Sequence, residues 1–201
     1  MKFLIAYNDN TKDLAGGFFE CCGEEILEET ENLDIDSTVL TPPSLTYTLL
    51  VQHILDCQVC VIANHGDARS IDGDNEDLVS VNTNNKAFLG KLLYAISCSC
   101  AQELKDSLVS DGLRSFWGYD NELHVWYGYP QYARSALAGI KSLMAGDKVK
   151  DAKEHMLAQY NADIAELEEQ YPDHPELAAA LLDNREALVV YGDDNLKLSD
   201  L

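Results

Sequence analysis

Six short strand-like runs, most of them apolar and each too short to form the core of a helix, punctuate this chain: residues 2–7, 34–41, 57–63, 91–98, 113–119 and 187–194. Each run gives way to polar or turn-forming residues at its carboxyl end, which is how buried strands read in sequence. Segments with apolar residues at helical spacing lie between them. Leu14, Phe18, Cys22 and Ile26 recur every four residues, with Thr11 placed to cap that helix. Pro42-Pro43 stops the second strand before a helix opening near Ser44 and carrying Leu49, Leu50 and Ile54. Further helices are predicted over Gln102 to Ser110, Gln131 to Ala145, Val149 to Gln170 and Glu176 to Asp183, with a short one near Lys86 to Gly90. Strands alternating with helices predict an α/β fold on a largely parallel sheet. With 201 residues, 46% of them hydrophobic, the chain is long enough for one well-buried core and short for two domains, so a single domain over 1–201 is expected.

Open α/β sheets bind ligands outside the carboxyl ends of their strands, and two of those ends carry reactive side chains. The run Leu92 to Ser97 delivers Cys98 directly before helix-forming residues, whose amino-terminal field would favour a thiolate. The run Cys57 to Ala63 ends in Asn64-His65-Gly66. The 33 residues separating His65 from Cys98 leave room for one loop and one strand, which fits adjacent parallel strands sharing a rim. A thiol beside an imidazole is a nucleophile and its base. Gly66 lets backbone amides approach a substrate, and its N–H together with that of Cys98 could bind a developing oxyanion. Taken singly, His65 reads as a loop residue closing a strand and Cys98 as a buried strand thiol. His124, near another strand exit, is the second candidate for the base. Cys100 is the second candidate for the nucleophile, because an extended strand would turn residues 98 and 100 to one face. The Gly-, Asp- and Asn-rich stretch from Asp67 to Asn85 reads as a surface binding loop beside His65.

Other chemistries find less support. Cys57-x-x-Cys60 has zinc spacing, but on a strand the two side chains would face opposite ways, and no second ligand pair follows. No metal or cofactor is therefore expected. A phosphatase loop would want an arginine soon after the cysteine, and none lies between Cys98 and Arg114. Thirty-five acidic against 14 basic residues give a formal charge of −21, which argues against nucleic-acid and anionic-membrane partners. The first apolar run is too short for a signal-peptide core and the clustered cysteines are not a secreted disulfide framework, so reduced thiols and a cytoplasmic location are expected.

Taken together, Asn64-His65-Gly66, Ser97-Cys98-Ser99-Cys100-Ala101, Gly112-Leu-Arg-Ser-Phe116-Trp-Gly118-Tyr119 and Val190-Tyr-Gly192-Asp193-Asp194-Asn-Leu196 resemble the signatures of caspase-like cysteine peptidases of the gingipain and CHAT type. The chain departs from that pattern at Ala101, where glycine is usual, and at Asp194, where proline is frequent. The resemblance implies a three-layer caspase-haemoglobinase-like α/β fold, a mostly parallel central sheet with helices on both faces. It also implies a cysteine endopeptidase with His65 as base and Cys98 as nucleophile, acting on a protein or peptide substrate. Relatives often cleave after a basic residue, which needs a carboxylate on the same rim. Asp67, Asp72, Asp120 and Glu122 are the candidates. Because such proteins can need an activating protein partner or lack activity, the alternative is a partner-gated or inactive binding module in a bacterial defence or regulatory assembly.

Overall fold

A computed structural model describes all 201 residues. Its centre is a six-stranded sheet of β1 (Lys2–Tyr7), β2 (Asp36–Leu40), β3 (Val59–Ala63), β6 (Leu92–Ile96), β7 (Ser115–Tyr119) and β8 (Leu188–Gly192), in the order β2-β1-β3-β6-β7-β8. Every neighbouring pair is parallel except β7 with β8, which is antiparallel. The helices are α1 (Gly16–Asn32), α2 (Tyr47–Ile54), α3 (Glu103–Ser110), α4 (Pro130–Met144), α5 (Val149–Gln170) and α6 (Pro175–Ala187).

Period-two alternation sends successive side chains of each central strand to opposite faces. Phe3 and Ile5, Val59 and Val61, Leu92 and Tyr94, and Trp117 point into the larger core, which is closed by α1, α4, α5 and α6. Leu4, Cys60, Leu93 and Phe116 point into the smaller one, closed by α2, α3 and an antiparallel hairpin, β4 (Ser70–Asp72) with β5 (Asp77–Ser80). Burial on both faces explains why these strands read as continuous apolar runs. Helix α4 lies close on the sheet: the Tyr94 hydroxyl donates to the Ala136 carbonyl at 2.6 Å. A Cβ at Gly139 would stand 2.6 Å from the Trp117 ring, so only glycine fits at that crossing.

Several local expectations change. Helix α1 starts at Gly16 and not at Thr11, and Leu14 is 99% exposed, outside the apolar face assigned to it. Asp13 organises this turn instead: its carboxylate accepts from the Ala15 N–H at 3.0 Å and its carbonyl from Gly16 at 3.1 Å. The segment 67–85 is no open loop, since it folds into the β4–β5 hairpin, with Ile71, Leu78 and Val79 buried in the smaller core. Cys57 precedes β3, where its thiol donates to the His53 carbonyl at 3.3 Å. It therefore shares the smaller core with Cys60 instead of facing away from it. No helix is long and apolar enough to cross a membrane.

Candidate active site

The carboxyl ends of β3 and β6 lie side by side. Ala63 pairs with Ile96, and the Asn64 N–H continues the ladder to the Ile96 carbonyl at 3.2 Å. His65 and Cys98 each follow two residues after that last pair. Both turn to the larger core: Cys98 packs against it half-buried, and the ring of Phe19 meets the His65 ring edge-on at 5.1 Å. The fold thus brings the two sequence-predicted residues to one rim and one face.

Glycine is required beside the histidine because the two strand ends are so close. A Cβ at Gly66 would stand 2.3 Å from the Ser97 hydroxyl oxygen and 2.6 Å from the Ser70 carbonyl. The amides of Gly66 and Cys98 donate to no backbone or side-chain acceptor in the protein. Two N–H groups on one rim, free to donate, are what an oxyanion site needs.

A third residue joins this pair. The Nε2 atom of His65 lies 2.7 Å from Asp13 Oδ2, and the same oxygen accepts from Asn8 Nδ2 at 2.7 Å. A carboxylate at Nε2 places the ring proton there and leaves Nδ1 unprotonated in the neutral imidazole. Asp13 is not legible as a site residue in the sequence because it sits in the turn after β1, where polar residues read as a helix start. The signal that could have found it is topological: a carboxylate at the carboxyl end of a strand neighbouring β3.

The sulfur itself is engaged elsewhere. Cys98 Sγ accepts from the Leu123 N–H at 3.3 Å, and no hydrogen bond joins it to His65. Leu123 lies on the segment leaving β7, which Asn184 of α6 clamps by accepting from the His124 N–H at 2.7 Å and donating to the His124 carbonyl at 2.6 Å. The His124 ring lies 3.9 Å from Asp183 on α6, so the second candidate base is held by α6. Cys100 is separated from the rim because β6 ends at Ile96 and the chain then turns, with Ser99 in a left-handed conformation, φ 53°. Its thiol turns into the smaller core and donates to the Ser97 carbonyl at 3.3 Å, and burial pushes its pKa up to about 12. The expected helix field at Cys98 is also absent. Helix α3 starts only at Glu103, and its first two amides, Glu103 and Leu104, both donate to the Ala68 carbonyl at 3.0 and 2.9 Å.

The four acidic candidates part company. Asp72 lines a polar cavity of about 230 Å³ together with His65 and Asp74, where burial raises its pKa against the opposing pull of the imidazole. Asp67 caps its own turn, accepting from the Arg69 and Ser70 amides at 2.7 and 2.9 Å. Asp120 lines a separate acidic cavity with Asp183 and Glu186. Glu122 is exposed on the segment after β7.

No protein-family model matches the sequence, and no characterised protein matches it at the sequence level. Solved structures do match. The Arg-specific cysteine proteinase gingipain R (RgpB) superimposes with a TM-score of 0.63 at 10% identity. The complex of the pro- and mature domains of RgpB from Porphyromonas gingivalis does so with a TM-score of 0.62, also at 10% identity. Each comparison covers 98% of this chain and 47% of the other, so the chain spans about half the length of those proteins. With its sheet order, its layers and these matches, the chain has the caspase-haemoglobinase fold seen in gingipain.

Proposed function

We propose that this protein is a cysteine endopeptidase in which Cys98 is the nucleophile, His65 the acid–base and Asp13 the residue that positions His65. The observation that carries this reading is the Asp13 contact to Nε2, which leaves Nδ1 of His65 free to accept a proton on the face shared with Cys98. His65 takes the thiol proton, and the thiolate forms a C–S bond to the substrate carbonyl carbon. The Gly66 and Cys98 amides bind the oxyanion. As that intermediate collapses, the C–N bond breaks and His65 returns the proton to the leaving amine. Water then attacks the thioester, His65 removing its proton, and the thiol is regenerated. The basic-residue preference implied by the family resemblance, like the Arg specificity of gingipain R, would call on a carboxylate in the pocket for the residue before the scissile bond; of the four candidates only Asp72 lies beside His65, on the side of the leaving amine.

Cys98→Ala and His65→Ala are each expected to lose cleavage of a panel of peptide reporters by several orders of magnitude while keeping the wild-type melting temperature. Unchanged cleavage by either variant would refute the assignment.

A second reading, a partner-gated module, is favoured by one observation: the resting sulfur is bonded to Leu123 and not to the imidazole. Catalytic hydrogen bonds are often loose in unliganded enzymes. Mass labelling of the isolated chain by a peptidyl electrophile separates the two readings. Stoichiometric adduct at Cys98 supports the self-sufficient peptidase, and labelling only after a protein partner is added supports gating.

A further inference from the structure

Between the segments that carry Asp13 and Leu123 the molecule exposes aromatic surface. Trp126 is 44% and Tyr127 84% exposed, and both line a cavity of about 340 Å³ whose walls include Gly17, Phe18, Cys21 and Tyr129. No carboxylate lines it, in a chain with 35 acidic residues. Its two sides lead to the two halves of the dyad. On one side, Leu123, which donates to the sulfur, precedes Trp126 by three residues. On the other, Asp13, which holds His65, precedes Gly17 by four, and Phe18 stacks edge-on at 5.7 Å with the Phe19 that touches His65. The two sides meet, since a Cβ at Gly17 would lie 3.1 Å from the Tyr127 ring.

We propose that this cavity receives the side chain of the substrate residue whose carbonyl is attacked by Cys98, and that it selects an aromatic or large aliphatic residue. The inference rests on the peptidase reading above and names its substrate class. A cavity of this size lies in the range of small-ligand pockets. Its aromatic walls reward a flat or bulky apolar group through burial and ring packing. A lysine or arginine entering it would lose part of its water and find no free carboxylate in the walls, since Glu25, behind Cys21, is already paired with Lys141 at 2.6 Å. The polar cavity that does hold carboxylates, Asp72 and Asp74, shares His65 as a wall. His65 protonates the leaving amine, so those carboxylates face the residue after the scissile bond, and acidic recognition there is compatible with apolar recognition before it.

The test uses the full chain and fluorogenic peptides that differ only at the residue before the cleaved bond: Phe, Tyr, Leu, Ala, Arg, Lys or Asp. Phe, Tyr and Leu are expected to exceed Arg and Lys in kcat/KM by roughly 10- to 100-fold, the range that a pocket contact can discriminate. Trp126→Glu should reduce Phe turnover about tenfold and raise Arg turnover. A binding measurement independent of turnover uses Cys98→Ala: a peptide ending in Phe should shift the tryptophan fluorescence, and Trp126→Phe in that background should abolish the shift. Cys98-dependent cleavage that prefers Arg or Lys would overturn this inference and leave the peptidase reading intact. A silent fluorescence titration with the Phe peptide would also overturn it. Absence of both cleavage and Cys98 labelling would remove the peptidase reading, and this inference with it.

Discussion

At the scale of single residues, the rim is built from close contacts whose removal has calculable effects. Asp13→Asn keeps a group of the same shape against His65 but no longer forces the proton onto Nε2. Iodoacetamide labelling of Cys98 is expected to slow by roughly 10- to 100-fold with little change in melting temperature, in line with the usual weight of a group that orients a catalytic imidazole. Gly66→Ala should cost about 1–3 kcal/mol, read from urea unfolding, because the new methyl must displace either the Ser97 hydroxyl or the Ser70 carbonyl. Ser97 itself is buried with no hydrogen-bond partner. Ser97→Ala is therefore expected to be neutral or stabilising by up to about 1 kcal/mol, since it removes an unsatisfied polar group. The thiols divide by environment. Cys98 is the half-exposed one on the rim, while burial and the adjacent Glu25 push Cys21, though surface-exposed, up to about 11. Alkylation near neutral pH should reach Cys98 first. Cys21 should follow only as pH rises toward its raised value, with Cys100 inert until the protein unfolds.

At the scale of elements, the joint between α4 and α5 has the largest predicted effect on stability. The Asp163 carboxylate is fully buried, accepts from the Ser135 hydroxyl at 2.6 Å and from Gln159 at 3.0 Å, and pairs with the Arg134 guanidinium. Asp163→Ala is expected to cost about 3 kcal/mol in urea unfolding, as removing one partner of a buried ion pair does. The elements were unevenly legible from sequence. Helix α5 and the strands ending in His65 and Cys98 were readable because burial on one stripe, or on both faces, leaves an unambiguous apolar period. The β4–β5 hairpin was not: its three- and four-residue strands are too short for alternation to register amid Gly, Asp and Asn. Asp13 and the Leu123 N–H were hidden for a different reason. Each reaches the site across a long sequence separation, one through a turn and the other through a main-chain group that any residue would supply. An extended-strand reading misplaces Cys100 because β6 stops at Ile96 and the chain turns through a left-handed Ser99, so residues 98 and 100 share no strand face.

At the scale of the whole molecule, a formal charge of −21 sets a long-range field that acts on charged peptides before any pocket does. Peptides with lysines away from the cleaved bond should be cleaved faster than neutral ones at low ionic strength, and kcat/KM for them should fall with added salt, while the ratio between Phe and Arg at the cleaved position should hold. The same charge repels itself within the fold, so raising ionic strength through the range where the Debye length drops from about 30 to 10 Å should raise the melting temperature.

The two free amides at the rim lend themselves to isotope labelling. Unlike the paired strand amides that precede them, the N–H groups of Gly66 and Cys98 have no internal acceptor to slow their exchange with deuterated water. In an NMR spectrum they should vanish early from the unliganded protein. After a peptide aldehyde forms a hemithioacetal with Cys98, they should persist and move downfield together, making the spectrum itself a gauge of how firmly the site holds a tetrahedral oxygen.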